Sequence, residues 1–201
     1  MKIKTEEQLR ELYGFPSGRA KDKVFETLDK HAVNFIEKSP FLVLSTSDDS
    51  GKMDASPRGG EMGFVKVIDN STLIIPDSKG NNIMDSIGNI IDSGRVGLLF
   101  LIPGIGETLR INGRAYISTN KDYMDLFLTE KNPPKSCIVV TVEESFLHCA
   151  KALMRSKLWD ESSKMDKKEF PSMGQMLKDQ LGSKEDPESR EDMVKRYTPD
   201  L

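Results

Sequence analysis

A chain of 201 residues can bury one hydrophobic core without disulfides or a structural metal, and a net charge of −3 excludes a broadly basic surface for nucleic acid or anionic lipid. Two cysteines are too few for a disulfide framework, no apolar run reaches membrane-spanning length, and residues 1–14 lack the hydrophobic segment of a signal peptide. We therefore expect a cytoplasmic, one-domain protein in which any anion site is local.

Hydrophobic spacing in the first half of the chain predicts two helices followed by short strands. A threonine followed by glutamates predicts a capped helix over residues 5–12. Apolar residues three and four apart predict a longer helix over 22–39, which ends at Pro40. Apolar or alternating runs between turn residues predict strands at 41–47, 52–58, 63–68 and 72–75.

The second half of the chain alternates further strands with helices. A helix is predicted over 82–93 with Gly94 as its C-cap, followed by an apolar strand at 96–102 that we expect to be covered on both faces. Strands are also predicted at 108–118 and 136–146, and helices at 122–129 and 148–159. The last 42 residues carry 19 charged side chains and predict an arm with amphipathic helices at 173–181 and 187–197.

This order of elements is typical of a mainly β fold. Six or seven strands joined mostly by short turns predict an antiparallel barrel with peripheral helices in residues 1–159, and residues 160–201 form the charged helical arm. A doubly wound sheet would need a helix after nearly every strand. The glycine-rich phosphate loops of the standard nucleotide-binding folds do not occur in the sequence.

The stretch IPDSKGNN is the first candidate for a functional site. Lys79, Gly80 and the amides of Asn81 and Asn82 lie at the predicted start of a helix, where unpaired backbone N–H groups and the positive end of the dipole favour a phosphate. The alternative is that Asn81 caps the helix and Gly80 only turns the chain. This stretch alone favours the alternative.

A second candidate anion ligand is Arg58, in the stretch DASPRGG beside Ser56. Its guanidinium can grip an anion with two hydrogen bonds, or it can be a solvated arginine on an edge strand. A small barrel is expected to bring neighbouring strands together. Convergence of Arg58 with Lys79 would then favour a phosphate pocket.

Other polar groups have simpler explanations. The arginines of GIGETLRINGRA are expected to form ion pairs across the sheet, with a bulge at Asn112, while Arg155 and Trp159 would stack on one helical face or Trp159 would simply pack. His31 is expected to be structural. His148 and Cys149 are adjacent and lack a third ligand at motif-like spacing, so no metal site is predicted.

The segments ASPRGG, LIIPDSKGNNIMDSIGNII, VGLLFLIPGIGETLRINGRA and FLHCAKALMRSKLW together resemble the pyridoxamine 5'-phosphate oxidase-related, FMN-binding split-barrel family. The resemblance covers roughly residues 9–159. It implies a six-stranded antiparallel split β-barrel that forms a homodimer, with one FMN in each groove between the subunits.

The resemblance also implies which residues hold the cofactor. Arg58, with Ser56 beside it, would be the strand arginine that grips the phosphate, and backbone groups near Ile75 and Pro76 would follow the isoalloxazine edge. The phosphate would also contact the segment that contains Ser78, Lys79, Asn81 and Asn82. The strand that approaches the cofactor would contain Glu107, Thr108 and Arg110. The residues that reach over the cofactor, from this subunit or the other one, would be Arg155, Ser156 and Trp159.

Two departures from the true oxidases argue against vitamin B6 as the substrate. Ile75 and Pro76 replace their aromatic-threonine pair, and the closing Arg-Leu-x-Pro and Arg-x-His elements are absent. The resemblance therefore implies an FMN-dependent oxidoreductase with NAD(P)H or a small molecule as electron donor. The alternatives are a non-catalytic flavin or haem carrier or sensor, a deazaflavin enzyme, and a dimeric interaction module with an empty groove.

Overall fold

The computed structural model describes residues 2–18 and 23–200. Within them the helices are α1 (Glu6–Tyr13), α2 (Lys30–Lys38), α3 (Asp85–Ser93), α4 (Lys121–Met124), α5 (Lys151–Ser156), α6 (Met173–Leu181) and α7 (Arg190–Tyr197). The strands are β1 (Phe41–Ser47), β2 (Met53–Gly59), β3 (Lys66–Val67), β4 (Thr72–Pro76), β5 (Arg95–Leu101), β6 (Thr108–Ser118) and β7 (Cys137–His148). Single 3₁₀ turns lie at Asp125–Phe127, Glu161–Ser163 and Thr198–Asp200.

All seven strands form one antiparallel sheet in the order β2-β1-β5-β6-β7-β4-β3. Its buried side chains share one main hydrophobic cluster, to which five strands contribute through Leu42, Leu73, Phe100, Ile111 and Val140. A sheet that wraps around a single core in this way has the predicted mainly β, split-barrel architecture. Six of the strands are long, and the seventh, β3, has two residues.

The predicted helix over 22–39 was wrong in its first half. Residue 22 lies outside the described residues, and Phe25 makes a backbone bridge to Ser145 in β7. Helix α2 begins only after Asp29, whose carboxylate accepts from the backbone N–H groups of His31 and Ala32. Pairing with the sheet and this strong N-cap override the apolar periodicity of residues 23–29.

Burial along β5 differs from the prediction that both faces are covered. Val96, Leu98 and Phe100 face the core, whereas Gly97 and Leu99 on the opposite face are only partly buried within this chain. The sheet therefore presents a half-covered apolar outer face at β5.

The predicted bulge in β6 is confirmed. The pairing of β6 with β7 shifts register between Asn112 and Gly113. A Cβ atom built on Gly113 would collide with the carbonyl oxygen of Thr141, so only glycine fits where the two backbones come together.

Three further elements were also predicted with wrong boundaries. Strand β7 continues to His148 because that residue pairs with Thr108 of β6, and this pairing reduces the predicted helix 148–159 to α5. The predicted helix 122–129 is α4 followed by a 3₁₀ turn, and the predicted strand 63–68 keeps only β3.

The arm folds on itself as a pair of helices, α6 and α7. The bounds of α6 match the prediction, and Ser172 and Ser189 cap the two helices. Gly174 lies so close to the backbone of Glu188 that a side chain there would clash, and the Glu188 carboxylate accepts two hydrogen bonds from Arg196, each of 2.8 Å. No helix among residues 2–18 and 23–200 has the length and apolar character needed to cross a bilayer.

Candidate functional site

A cleft of about 1100 Å³ lies between the end of β2, the loop that follows β4 and the start of α3. Residues 60–64 and Lys66, after β2, residues 129–132, before β7, and Asp200, from the arm, complete its described lining. The volume is at the upper end of that found for small-molecule and cofactor pockets. This cleft contains the two stretches that the sequence singled out for anion binding.

Helix α3 starts three residues later than predicted. Asn82 and Met84 both have positive φ, 59° and 63°, so the chain turns through the left-handed region before the helix begins at Asp85. Asn81 does not cap the helix, since its side chain accepts from the backbone N–H of Ile83 at 3.1 Å. Met84, at the N-cap position, makes no side-chain hydrogen bond. The backbone N–H groups of the first turn therefore lack a side-chain acceptor, and this helix end lines the cleft.

Arg58 lies near the end of β2 and also lines the cleft. Its Nη1 donates to the hydroxyl of Ser56 and, at 2.9 Å, to the carbonyl oxygen of Pro57. Both contacts come from the same strand, so the guanidinium is held near the cleft wall by its own neighbours.

Lys79 is the second cation of the predicted anion site, and its ammonium contacts the arm. Its Nζ lies 2.6 Å from Oδ1 of Asp200, and the Lys79 side chain is 67% exposed. The lysine thus already has an anionic partner, which is a carboxylate of the same chain.

The cleft as a whole is not positively charged. Its described lining has four cationic residues, Arg58, Lys66, Lys79 and Lys131, and six acidic ones, Asp54, Glu61, Asp77, Asp85, Glu130 and Asp200. Burial raises the pKa of Glu130, and the charge of Glu61 adds to that rise, while Lys66 opposes it. Any anion must therefore bind through local contacts with individual cationic side chains or backbone N–H groups rather than through a general field.

The structure brings six more predicted positions to this region. Ser56, Pro76, Ser78, Asn81 and Asn82 line the cleft together with Arg58 and Lys79. Ile75 is fully buried, and its side chain belongs to the core cluster, so only its backbone is close to the cleft wall formed by Pro76.

The remaining predicted residues lie elsewhere. Glu107, Thr108, Arg110, Arg155, Ser156 and Trp159 are not among the described residues that line the cleft. They gather where β6 begins and α5 approaches it: Thr108 pairs with His148, and Gly106 packs against Ala150. Within one chain, the predicted site is therefore divided into two groups.

Arg110 is the best-defined member of this second group. Its guanidinium lies 4.8 Å from the centre of the Phe146 ring and 3.6 Å from the carboxylate of Glu144, so Glu144 of the neighbouring strand β7 is its ion-pair partner across the sheet. Its Nε is buried and makes no hydrogen bond. Burial, and then the positive charge of Arg110, lower the pKa of the nearby His148.

The predicted stacking of Arg155 on Trp159 required both residues to lie on one helix, but the helix ends before Trp159. Helix α5 stops at Ser156, and the indole Nε1 donates instead to the carbonyl oxygen of Ile105 at 2.8 Å. Arg155 Nε donates to the carbonyl oxygen of Lys151 at 3.2 Å. Trp159 therefore fixes the β5–β6 loop.

Sequence reasoning missed the acidic residues of the cleft and the contact between the arm and the cleft. Glu61, Glu130 and Asp200 carry no motif that would mark them, and Asp200 is 121 residues from its partner Lys79. Among residues 2–18 and 23–200, no group of three histidine, cysteine or acidic side chains is arranged to hold a metal ion.

Comparisons with known proteins place this architecture. The sequence profile of the pyridoxamine 5'-phosphate oxidase family matches residues 28–149. The solved structure of HupZ from Group A Streptococcus superposes with a TM-score of 0.51 at 18% identity, covering 60% of this chain and 93% of HupZ. A Clostridium acetobutylicum protein related to general stress protein 26, of the pyridoxinephosphate oxidase family, superposes with a TM-score of 0.46 at 11% identity. The match covers 59% of this chain and 86% of that protein. An FMN-binding protein from Syntrophomonas wolfei superposes with a TM-score of 0.41 at 14% identity, and the match covers 57% of this chain and 86% of that protein. At 18% identity the likeness to HupZ indicates the fold alone, and no curated protein matches the sequence.

Proposed function

The chain belongs to the pyridoxamine 5'-phosphate oxidase family, and we propose that it binds FMN in the cleft and acts as an FMN-dependent oxidoreductase. The observation that carries the proposal is the start of α3, whose first-turn N–H groups lack a side-chain cap and line the same cleft as Arg58 and Lys79. A cleft that contains a helix N-terminus and two cations is a suitable place for a phosphate.

The phosphate of FMN would be held at this end of the cleft. Lys79 supplies a charge, Arg58 supplies two or more donors, and the hydroxyls and amides of Ser78, Asn81 and Asn82 supply further hydrogen bonds. The existing contacts of Arg58 to Ser56 and Pro57 involve Nη1, which leaves its other nitrogens to face a ligand.

The flavin ring would extend from the phosphate along Pro76 and the adjoining backbone. Bound FMN supplies the hydride and electron chemistry, and the protein supplies position and electrostatics. The described lining contains no histidine and no cysteine, two common ligands of haem iron. The two sequence departures at Ile75 and Pro76 and in the closing elements continue to argue against vitamin B6 as substrate.

A complete site would need two copies of the chain. The second group of predicted residues, which includes Arg110 and Trp159, does not line the cleft of its own chain. The half-covered outer face of β5, with Gly97 and Leu99, offers a surface on which a second copy could pack. We therefore include a homodimer in the proposal, in which the second group reaches the FMN of the partner.

A visible absorption spectrum tests the proposal directly. The purified protein is measured as isolated, after addition of FMN and removal of the excess, and then after addition of NADH or NADPH without oxygen. Two retained flavin bands that bleach with a nicotinamide support an oxidoreductase. Retained bands that do not bleach indicate a carrier or sensor, a Soret band indicates haem, and absence of any retained chromophore refutes cofactor binding.

A further inference from the structure

Three contacts hold the end of the arm at the mouth of the cleft. The carboxylate of Asp200 pairs with Lys79 at 2.6 Å. The carbonyl oxygen of Thr198 accepts from Nζ of Lys131 at 3.3 Å, and that of Pro199 accepts from Nδ2 of Asn132 at 3.0 Å. Consecutive residues of the arm therefore contact two different walls of the same cleft.

The arm presents this segment from a folded base. Helix α7 is held to the preceding loop by the double hydrogen bond between Arg196 and Glu188, and the hydroxyl of Thr198 donates to the carbonyl oxygen of Val194 at 2.8 Å. Because the chain continues from α7 directly into residues 198–200, Asp200 is positioned by a helix rather than by a free tail.

The carboxylate of Asp200 occupies the cation that a phosphate would use. Lys79 is a compact point charge, and a carboxylate and a phosphate compete for the same three donors. The pair is also easy to release, since the Lys79 side chain is 67% exposed and that of Asp200 is 36% exposed. A weak and tethered anion has the properties of a competitor that a stronger anion can displace.

We propose that residues 198–200 form a releasable strap in which Asp200 occupies Lys79 until the phosphate of a ligand displaces it. This inference rests on the proposed phosphate site and adds its regulation. An exposed ion pair of this kind keeps the state in which Lys79 is released from Asp200 in the minority. It therefore weakens the apparent affinity for a phosphate ligand by about two- to sixfold. A ligand without a phosphate does not need to displace Asp200 and should not experience this cost.

The test combines ligand binding with hydrogen–deuterium exchange in the full-length protein. Asp200→Asn removes the competing charge, and Asp186→Asn removes an equal charge from the loop between α6 and α7 as a matched control. Each protein is titrated with FMN and with riboflavin, and the exchange of a peptide spanning residues 196–200 is followed with and without each flavin.

The strap predicts three results. Asp200→Asn should bind FMN about two- to sixfold more tightly than the unmodified protein, with riboflavin binding unchanged. Without any flavin, the same substitution should raise exchange in residues 196–200. FMN, but not riboflavin, should raise exchange in the unmodified protein toward the level of Asp200→Asn, while Asp186→Asn should behave like the unmodified protein.

Other outcomes overturn the strap and separate it from the proposed function. Equal exchange in the unmodified protein and Asp200→Asn without flavin would show that the segment is not docked. Weaker FMN binding by Asp200→Asn, or FMN binding that lowers exchange, would show that the segment closes over the ligand instead of competing with it. If neither protein binds FMN, the proposed function fails, and addition of inorganic phosphate decides the strap, which is refuted unless phosphate raises the exchange of residues 196–200.

Discussion

Replacing Lys79 with alanine is expected to weaken FMN binding selectively. In the proposed complex this lysine gives the phosphate a charge-assisted hydrogen bond, which is worth about 1.5–3 kcal/mol. Part of that gain is spent on breaking the exposed pair with Asp200, which costs roughly 0–1 kcal/mol. The expected net loss is therefore about 0.5–3 kcal/mol, or roughly a 2- to 160-fold rise in the Kd for FMN.

The assay compares two flavins that differ only by the phosphate. Binding of FMN and riboflavin is measured by quenching of flavin fluorescence for the unmodified protein, Lys79→Ala and the control Lys167→Ala, which removes an exposed lysine before α6. Riboflavin binding should be nearly the same in all three proteins. An equal loss of affinity for both flavins in Lys79→Ala, or no loss for FMN, would refute the placement of the phosphate at Lys79.

Three further predictions concern stability and are measured by chemical denaturation. Gly113→Ala should lower the free energy of unfolding by about 1–3 kcal/mol or prevent folding, because its Cβ collides with the Thr141 carbonyl. Gly88→Ala should raise the free energy of unfolding by roughly 0.5–1 kcal/mol, because a Cβ atom at that site in α3 would enter open space. A lower free energy of unfolding would contradict the described packing. Burial, and then Arg110, lower the pKa of His148 in the folded protein, so its stabilisation is present above the unfolded pKa of about 6.5 and is lost as the pH falls toward the folded value. His148→Gln should therefore lose less stability between pH 7 and 5 than the unmodified protein, and identical slopes would show that His148 is not perturbed.

The parts of the fold that sequence predicted well are those governed by local periodicity. The bounds of β1, β6 and α6 agree with prediction because alternation or helical spacing persists to their ends. The start of α3 was wrong because Asn82 and Met84 take left-handed backbone conformations, which only the surrounding structure imposes.

Some features of the candidate site were likewise predictable from sequence, and others depend on tertiary structure. Arg58 and Lys79 were expected to converge from neighbouring strands, and both line one cleft. The strands themselves are not neighbours, since four others separate β2 from β4 in the sheet, so the convergence depends on the tertiary fold. The contact of Asp200 with Lys79 depends on how a distant arm folds back, and no local pattern encodes it. The division of the predicted residues into two groups follows equally from tertiary structure. The helix that was to carry Trp159 ends at Ser156, where Lys157 takes a left-handed backbone conformation.

The two edges of the sheet restrict how copies of this protein can meet. One edge, β2, contains Pro57, which has no N–H to donate, and the other edge, β3, is only two residues long. Pro57 interrupts the row of donors along β2, and β3 is too short to offer such a row, so extended pairing with a strand from another molecule is disfavoured at both edges. The sheet is thereby protected against growth into intermolecular β-structure, and its faces remain the surfaces for specific self-association.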